Sequence, residues 1–309
     1  MTEVTVTVPA TSANLGPGFD ALGLALSLRD EVRVRIESDS APEVTVHVVG
    51  EGSATVPRDA SHLVVRSLLA TYDDLGLPRP RLTMWCRNRI PHGRGLGSSA
   101  AAAVAGVVAA RELIGSGPEG HRLDDDTCLA IATRIEGHPD NAAACLLGAM
   151  TIAWTESTEG PESSRVHAVR IAPAPGVRAL VLVPDVELST ARARGMLPAV
   201  VPHTDAAHSA GRAALLVVAM TGRPDLLMAA TEDRLHQAYR ASAMPESTRL
   251  VSRLRGAGMA AVVSGAGPSV LVLTTRKGTG IGSVEIPSGW TVLDLDVPHE
   301  GASVFHPGR

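Results

Sequence analysis

The sequence contains few aromatic residues and no excess of basic charge. Its 309 residues include only two Phe, two Tyr and three Trp, and the formal net charge is −4 at pH 7. A surface that binds duplex nucleic acid normally carries a basic stripe, and a surface that binds single strands carries stacking aromatic rings. We therefore expect no nucleic-acid partner.

Lysine is almost absent, since Lys277 is the only one. An enzyme that uses a lysine Schiff base or a P-loop lysine would have to use this residue. The sequence before it does not follow the GxxxxGK[ST] pattern. Both chemistries are therefore disfavoured.

Cysteine and long apolar runs are also scarce. Cys86, Cys128 and Cys145 form no CxxC or Cys/His zinc spacing, so we expect reduced, partly buried thiols in a cytoplasmic protein. The first residues lack the basic stretch and apolar core of a secretion signal. The most apolar stretch, 100–110, is too short to cross a membrane, and we expect no membrane partner.

Apolar residues alternate in some segments and recur at helical spacing in others. The mixed order predicts an α+β fold. The segment 155–164 is polar and lacks apolar periodicity, so we place a boundary there between two domains, residues 1–158 and 159–309. We expect the last strand to return to the first domain. Strands are expected at 4–8, 32–36, 44–48, 82–86, 150–154, 166–171, 178–183, 260–264, 270–273 and 291–297. Helices are expected at 61–75, 100–114, 129–135, 206–220, 224–236 and 246–256.

The strongest local motif is the glycine-rich run 93–101, which leads into an alanine-rich helix. A helix N-terminus presents unpaired N–H groups and a positive dipole end, and glycines let the backbone approach an anion closely. The Ser98 and Ser99 hydroxyls add donors, and either could bind Mg²⁺. The motif predicts a phosphate-binding loop. The alternative is a glycine-rich helix start with a serine cap.

Three further segments carry polar chemistry. Glu136 and Asp140 flank a tight turn and could hold Mg²⁺ and orient a hydroxyl, or they could simply end one helix and cap the next. The run 11–20 suits recognition of an ammonium or hydroxyl group, or forms a turn before a helix. The run 265–269 is either a hairpin turn or a wall around a second anion.

Charged side chains elsewhere are harder to interpret. A substrate with a carboxylate would need one or two arginines, and the candidates are Arg87, Arg89, Arg194 and Arg240. The alternative is that they are solvated surface residues, as most arginines are. His62, His138 and His236 show no i, i+4 pairing typical of a metal site, so we interpret them as ordinary polar residues.

Three of these segments resemble the motifs of the GHMP kinase superfamily, and they occur in the same order. They are Pro9–Gly16, Pro91–Ala101 and Ser264–Ser269. Within the superfamily, the run 11–20, the run 136–141, the run 189–194 and Arg240 before Met244-Pro245 are similar to homoserine kinases. The sequence departs from that pattern at His62, Ser209 and Ala144.

The resemblance implies a two-domain fold with an N-terminal ATP-binding α+β domain, which contains a left-handed βαβ-type unit, and a C-terminal ferredoxin-like α/β sandwich. It implies ATP binding by Pro91, Gly93, Arg94, Gly95, Leu96, Gly97, Ser98, Ser99, Ala100, Ala101 and His62. It implies Mg²⁺ binding by Ser98 and Glu136. It implies homoserine binding by Asn14, Asp20, His138, Asp140, Thr190, Arg194 and Arg240, with Asp140, Asn14, Glu136 and Arg194 as catalytic residues.

The implied reaction is transfer of the γ-phosphoryl group of ATP to the side-chain hydroxyl of L-homoserine, in threonine biosynthesis, by a homodimer. In this arrangement Arg194 and Arg240 bind the α-carboxylate, Asp20 binds the α-ammonium, and Asp140 or Asn14 orients the hydroxyl. Two alternatives stay open. One is another small-molecule kinase of the same fold, such as a mevalonate-type enzyme, and the other is a catalytically silent binding protein.

Overall fold

The computed structural model describes residues 3–115, 123–157, 164–275, 281 and 284–306. Its strands are β1 Glu3–Asn14, β2 Gly18–Ile36, β3 Val44–Gly50, β4 Leu82–Asn88, β5 Met150–Ser157, β6 Ser164–Ile171, β7 Arg178–Pro184, β8 Ala260–Val263, β9 Val270–Thr274, β10 Trp290–Asp296 and β11 Ser303–Phe305. Its α-helices are α1 Leu63–Asp74, α2 Ser98–Gly115, α3 Asp125–Glu136, α4 Asp140–Leu147, α5 Thr190–Arg194, α6 His203–Thr221, α7 Leu227–Ala230, α8 Gln237–Arg240 and α9 Pro245–Gly256.

The first sheet has seven strands among the described residues, in the order β11-β1-β2-β4-β3, and β5 pairs with both β2 and β6. Strands β3 and β4 are parallel and α1 connects them, so the expected βαβ-type unit is present. Helices α1 to α4 pack together beside the sheet. Alternate residues of β1, such as Val4, Val6 and Val8, are buried in the core beneath them.

Helix α2 is the central helix of this layer. It is long and apolar enough to cross a membrane by length and composition alone, which differs from our expectation for 100–110. However, 67% of that segment is buried inside the fold, as in the core helix of a globular protein. Its alanines allow α1 to pack closely, and a Cβ at Gly106 would collide with the Val64 carbonyl oxygen.

The run 9–30, in which we expected no strand, forms most of a long hairpin between β1 and β2. The chain reverses at residues 15–17. Asn14 has φ +69°, Leu15 has φ +49° and Gly16 has φ +90°. This left-handed backbone, rather than a helix cap, brings Asn14 and Asp20 to the same end of the sheet. The prediction missed the strand because the run lacks β-branched alternation.

The second sheet is antiparallel with the order β10-β7-β9-β8. Numbered along the chain, this is the 4-1-3-2 order of a ferredoxin-like sheet. Helix α9 packs on β8 and β9, and Leu250, Leu254 and Val272 are buried between them.

The predicted domain limits differ from the strand pairing in two places. The boundary at 158–159 lies outside the described residues. Lys277, the single lysine of the sequence, also lies outside them. Strand β6 was assigned to the second domain, but it pairs with β5 in the first sheet. The predicted strand at 291–297 is β10 and stays in the second sheet. The strand that returns to the first sheet is β11, which pairs with β1.

The helix predicted over 224–236 is wrong. A 3₁₀ turn at Pro224–Leu226 and the short α7 are followed by non-helical chain up to His236. The Asp233 carboxylate accepts hydrogen bonds from the backbone N–H groups of Leu235, His236 and Gln237. These bonds stabilise a turn that competes with helix continuation. Helical spacing alone does not reveal this competition.

The three cysteines are free thiols, as expected, and all are buried, more deeply than we expected. Burial raises the pKa of Cys86 to about 12 and that of Cys128 to about 11. They are therefore protonated and behave as small apolar side chains.

Candidate active site

Three segments far apart in sequence meet at the N-terminus of α2. The Thr11 N–H donates to the Leu96 carbonyl oxygen at 3.0 Å. The Ser264 hydroxyl donates to the Gly95 carbonyl oxygen at 2.6 Å. Gly95 and Gly97 have φ of +72° and +68°, and a Cβ at Gly97 would collide with the Thr11 hydroxyl. Glycine is therefore required here both by backbone conformation and by close packing.

The N-terminus of α2 presents N–H groups that have no carbonyl partner within the helix. The first helical hydrogen bond of this turn runs from the Ala101 N–H to the Gly97 carbonyl oxygen at 2.8 Å. The preceding N–H groups, of Ser98, Ser99 and Ala100, lie at the positive end of an 18-residue helix. This arrangement favours an anion at the start of the helix.

A cavity of about 270 Å³ opens in front of this helix end. The predicted site residues that line it are Asn14, Asp20, Gly93, Gly95, Gly97, Ser98, Ser99, Glu136, His138, Asp140, Thr190, Arg194 and Arg240. The structure thus brings together every predicted homoserine residue and half of the predicted residues of the glycine-rich loop.

Some predicted loop residues do not line this cavity. The Arg94 guanidinium donates to the carbonyl oxygens of Pro184 and Asp185, both at 2.8 Å, and so connects the loop to the end of β7. Leu96 and Ala100 are buried in the core. Pro91 is absent from the residues that line the cavity, and Ala101 lines a neighbouring one.

Several lining residues were not among the predicted ATP, Mg²⁺ or homoserine ligands. They are Ala13, Ile135, Asn141, Leu188, Ser189, Gly265 and Ala266. Gly265 and Ala266 belong to the third glycine-containing motif, which was a usable signal. Asn141 follows Asp140 directly, and its carboxamide accepts a hydrogen bond from Thr11 at 2.7 Å. It therefore connects α4 to β1 beneath the loop.

Asp20 and Arg194 form a two-point ion pair at the mouth of the cavity. Arg194 Nη1 and Nη2 donate to the two carboxylate oxygens of Asp20 at 2.9 and 2.6 Å. Each side chain is about one-third exposed. The pairing of a parallel guanidinium fork with a carboxylate is specific in geometry. A ligand that carries both a cation and an anion could replace each partner of this pair.

Arg240 is a buried cation without a carboxylate partner among the described residues. It is 1% exposed. Its guanidinium donates to the Ala193 carbonyl oxygen at 3.2 Å and to the Gly265 carbonyl oxygen at 3.4 Å. Burial lowers the pKa of this guanidinium, but an arginine stays charged at neutral pH. The Asp20, Asp233 and Asp140 carboxylates attract this charge but do not offset the effect of burial. Because a buried charge without a direct ion pair is costly, the site favours an anionic ligand.

Asp140 has one oxygen engaged and one available. Oδ1 accepts hydrogen bonds from the Asn141 N–H at 2.7 Å and from His138 Nδ1 at 2.9 Å. Oδ2 has no hydrogen bond to any described residue, although the side chain is 2% exposed and lines the cavity. The hydrogen bond to Asp140 raises the pKa of His138. Oδ2 is therefore free to accept a hydrogen bond from a bound hydroxyl.

Glu136 contacts Ser99 rather than Ser98. The Ser99 hydroxyl donates to Glu136 Oε1 at 2.5 Å. Burial raises the pKa of the Glu136 carboxyl, and the Ser99 hydrogen bond opposes this shift. Hydroxyl and carboxylate oxygens are the donors that Mg²⁺ prefers. No group of three or more His, Cys, Asp or Glu residues in the described ranges forms a metal cluster.

A second cavity, of about 280 Å³, lies on the other side of the loop and is mostly apolar. Ser98 and Ser99 line both cavities, so the two spaces meet at the start of α2. His62 lines the second cavity, and its Nδ1 accepts a hydrogen bond from the Val64 N–H at 3.3 Å. Burial lowers the pKa of His62, so the ring is neutral at pH 7.

Comparison with known proteins identifies the family. The family model "GHMP kinases N terminal domain" matches residues 62–149, and "GHMP kinases C terminal" matches residues 212–280. A protein named homoserine kinase from Streptomyces coelicolor is 54% identical over 98% of this chain and 94% of its own length. The chain belongs to the homoserine kinase family of GHMP kinases. A homoserine kinase from Leifsonia xyli is 48% identical over 98% of this chain and 92% of its own length.

Solved structures agree with this fold. The crystal structure of homoserine kinase from Cytophaga hutchinsonii superposes with a TM-score of 0.82 at 27% identity, and covers 99% of this chain and 98% of that one. Mevalonate diphosphate decarboxylase from Staphylococcus aureus gives a TM-score of 0.68 at 14% identity, over 99% and 98% of the two chains. The latter similarity shows the fold alone. The expected two-domain GHMP kinase fold is confirmed.

Proposed function

We propose that this protein is an ATP-dependent kinase that phosphorylates the side-chain hydroxyl of L-homoserine. The observation that carries the proposal is the cavity, which places Asp20, Arg194 and Arg240 together beside the start of α2. A zwitterionic amino acid needs an acidic and a basic partner, and a triphosphate needs unpaired N–H donors. The family relatives support the same conclusion through their names.

Homoserine binding exchanges the Asp20–Arg194 ion pair for two ligand contacts. The α-ammonium pairs with Asp20 and the α-carboxylate pairs with Arg194 and Arg240. Each charge in the cavity then has a partner of opposite sign, including the Arg240 guanidinium, which has no carboxylate partner among the described residues. A substrate without an amine leaves Asp20 without a ligand cation.

ATP lies across the two cavities. The mostly apolar second cavity, with His62 and Ala101, accepts the nucleoside, and the triphosphate runs past Ser98 and Ser99 to the start of α2. The loop binds phosphate mainly through backbone N–H groups. In this arrangement Arg94 contributes its main chain, because its guanidinium is hydrogen-bonded to the end of β7.

Glu136 and a serine hydroxyl of the loop are the candidate ligands of Mg²⁺. We predicted Ser98, and Ser99 is a second candidate because it already contacts Glu136. Two protein oxygens suit an ion that takes its other ligands from phosphate and water. When bound with ATP, Mg²⁺ neutralises charge that develops on the phosphate oxygens. Glu136 and the serine hold their oxygens in place for it.

Asp140 orients the substrate hydroxyl through its free Oδ2. Asn14 plays a different part, because both ends of its carboxamide are already used. Its Nδ2 donates to the Gly265 carbonyl oxygen at 2.9 Å, and its Oδ1 accepts from the Asp20 N–H at 3.0 Å. Asn14 thus fixes the hairpin turn and the backbone of Asp20. Phosphoryl transfer depends mainly on such positioning and on charge stabilisation.

The decisive experiment is an ADP-release assay with MgATP and, separately, L-homoserine, L-threonine, L-serine and mevalonate. Turnover selective for L-homoserine supports the proposal. Turnover on mevalonate alone keeps the kinase reaction but removes the amino-acid site. ATP binding without turnover on any acceptor indicates a silent binding protein. Asp20→Asn sharpens the test, because it should weaken homoserine binding and leave the KM for ATP unchanged.

We further propose a cytoplasmic homodimer that acts in threonine biosynthesis. The support is the family to which the chain belongs, not a feature of the cavity. Light scattering on the purified protein tests the assembly, since a dimer has twice the mass of one chain. Growth of a threonine auxotroph that lacks homoserine kinase, with and without this chain, tests the pathway.

A further inference from the structure

His236 is fully buried beside the cavity, although we had interpreted it as an ordinary polar residue. Its Nε2 lies 2.8 Å from the Gly16 carbonyl oxygen. A carbonyl oxygen only accepts hydrogen bonds, so Nε2 carries the proton. Burial lowers the pKa of the imidazole, and the Asp233 carboxylate, 3.6 Å from Nε2, opposes this shift. The geometry decides the charge, because the atom that faces Nδ1 is a guanidinium nitrogen, which only donates hydrogen bonds. In a neutral ring with a proton on Nε2, Nδ1 is a hydrogen-bond acceptor.

The donor to this acceptor is Arg240. Its Nη1 lies 3.1 Å from His236 Nδ1. With the bonds to the Ala193 and Gly265 carbonyl oxygens, three contacts fix the Nε and Nη1 atoms of the guanidinium. Nη2 has no hydrogen bond to a described residue, and Arg240 lines the cavity. The histidine therefore holds one part of the guanidinium while another part stays available to a ligand.

Three elements hold the imidazole in turn. Its backbone is set by the Asp233 turn that interrupts the expected helix. Its Nε2 is anchored to Gly16 in the turn between β1 and β2. Its ring stacks on Phe19 at a centroid distance of 5.3 Å. The guanidinium carbons of Arg194 and Arg240 lie 5.7 and 5.5 Å from the centre of the same Phe19 ring.

We propose that His236 is a positioning residue that, as an uncharged hydrogen-bond acceptor, orients Arg240 toward the carboxylate of the acceptor substrate. This inference rests on the proposed function. A neutral acceptor satisfies a donor of Arg240 without supplying a negative charge that would compete with the ligand. A carboxylate in the same place would form an ion pair and reduce the attraction of the site for an anion.

Two substitutions separate the two ring nitrogens. His236→Asn places a carbonyl oxygen near the position of Nδ1, and His236→Gln places an amide nitrogen near that of Nε2. The Asn variant keeps the acceptor for Arg240 and loses the bond to Gly16. The Gln variant keeps the bond to Gly16 and loses the acceptor. Both remove the stacking on Phe19, so a merely structural role predicts similar effects for both.

The measurement is steady-state kinetics with separate KM values for homoserine and ATP, together with a thermal unfolding midpoint for each variant. We expect His236→Gln to raise the KM for homoserine about 10-fold or more, because this variant loses a hydrogen bond to a charged group. His236→Asn should stay within about 3-fold of the wild type by the same reasoning. For both variants we expect unchanged KM for ATP. The exposed His203, substituted in the same two ways, is the control.

Equal effects of the two variants on the KM for homoserine, or effects that follow their unfolding midpoints, would overturn the inference. Absence of homoserine turnover by the wild type would overturn the proposed function as well, so the two failures are distinguishable. If neither variant folds, a long-range ¹H–¹⁵N spectrum of the wild type decides. A neutral ring protonated on Nε2 supports the inference, and a ring protonated on Nδ1 overturns it.

Discussion

The cavity has two walls of different construction. The loop wall presents backbone groups and small side chains, and it consists of Gly93, Gly95, Gly97, Ser98, Ser99, Gly265 and Ala266. The charged wall, formed by Asp20, His138, Asp140, Arg194 and Arg240, presents ionised or polar side chains. Both walls join distant parts of the chain, since Gly95 and Ser264 are 169 residues apart and Asp20 and Arg194 are 174 residues apart. The loop wall uses two short continuous segments, whereas the charged wall uses single side chains from several elements. In the proposed function, backbone geometry recognises the phosphate, and the placement of individual charges recognises the amino acid.

The largest expected effect is at Asp140. Asp140→Asn keeps the size of the side chain but weakens the acceptor that we propose orients the substrate hydroxyl. We expect kcat to fall by about 100-fold or more, which is the size of effect seen when a residue that acts in general acid–base catalysis is removed. The KM for homoserine should stay within a few-fold of the wild-type value. Steady-state kinetics measures both. Asp225→Asn, in an exposed ion pair with Arg223, is the control. A change in KM alone would make Asp140 a binding residue only.

The second-largest effect is expected at Arg240, and it shows whether the charged wall binds the substrate carboxylate. Arg240→Ala should raise the KM for homoserine by about 100-fold, equivalent to about 2–3 kcal/mol for a charge-assisted contact. The KM for ATP should change little, because the loop wall is untouched. Arg223→Ala is the exposed control. An unchanged KM for homoserine would remove Arg240 from the carboxylate site.

The loop wall is tested by comparing two glycines. Gly97 and Gly76 have nearly equal φ, +68° and +65°, but a Cβ at Gly76 meets nothing within 4 Å, whereas at Gly97 it meets Thr11. In both alanine variants, backbone strain should lower the free energy of unfolding by about 1 kcal/mol. Gly97→Ala should lose a further 1–3 kcal/mol from overpacking and raise the KM for ATP. Urea denaturation gives the free energies, and equal losses would contradict the close-packing argument.

The smallest effect is a pH dependence at His138. Because Asp140 raises the pKa of this histidine above 6.5, the pair stabilises the fold fully below pH 6.5. That stabilisation is lost as the pH rises through the raised pKa. His138→Gln should therefore lower the free energy of unfolding more at pH 6 than at pH 9. Urea denaturation at both values measures it, with His203→Gln as the control. A pH-independent difference would exclude this coupling.

The sequence predicted the loop wall more completely than the supporting structure around it. Glycines at fixed spacing before a helix indicate an anion site, because the backbone conformation that they allow depends only on neighbouring residues in the chain. The side chain of Arg94 is in the same motif, yet it bonds to the end of β7. Nothing near Arg94 in sequence indicates this partner, because the contact exists only after the two sheets have come together.

The charged wall was predicted through resemblance, not through residue patterns. Arg194 and Arg240 resemble surface arginines until the hairpin turn brings Asp20 beside one and Phe19 beside both. The failed helix at 224–236 shows the same limit. Its apolar spacing is helical, but the Asp233 side chain captures three backbone N–H groups and directs His236 inward.

The sequence by itself determined the α+β character, the glycine-rich loop at the start of α2, the buried thiols and the family. Each depends on composition or on residues close together in the chain. The tertiary structure decided which charges pair, which hydroxyl contacts Glu136, and that Arg240 is buried against a neutral histidine. Those properties arise from long-range contacts, since burial and charge pairing are set by neighbours that sequence spacing does not reveal.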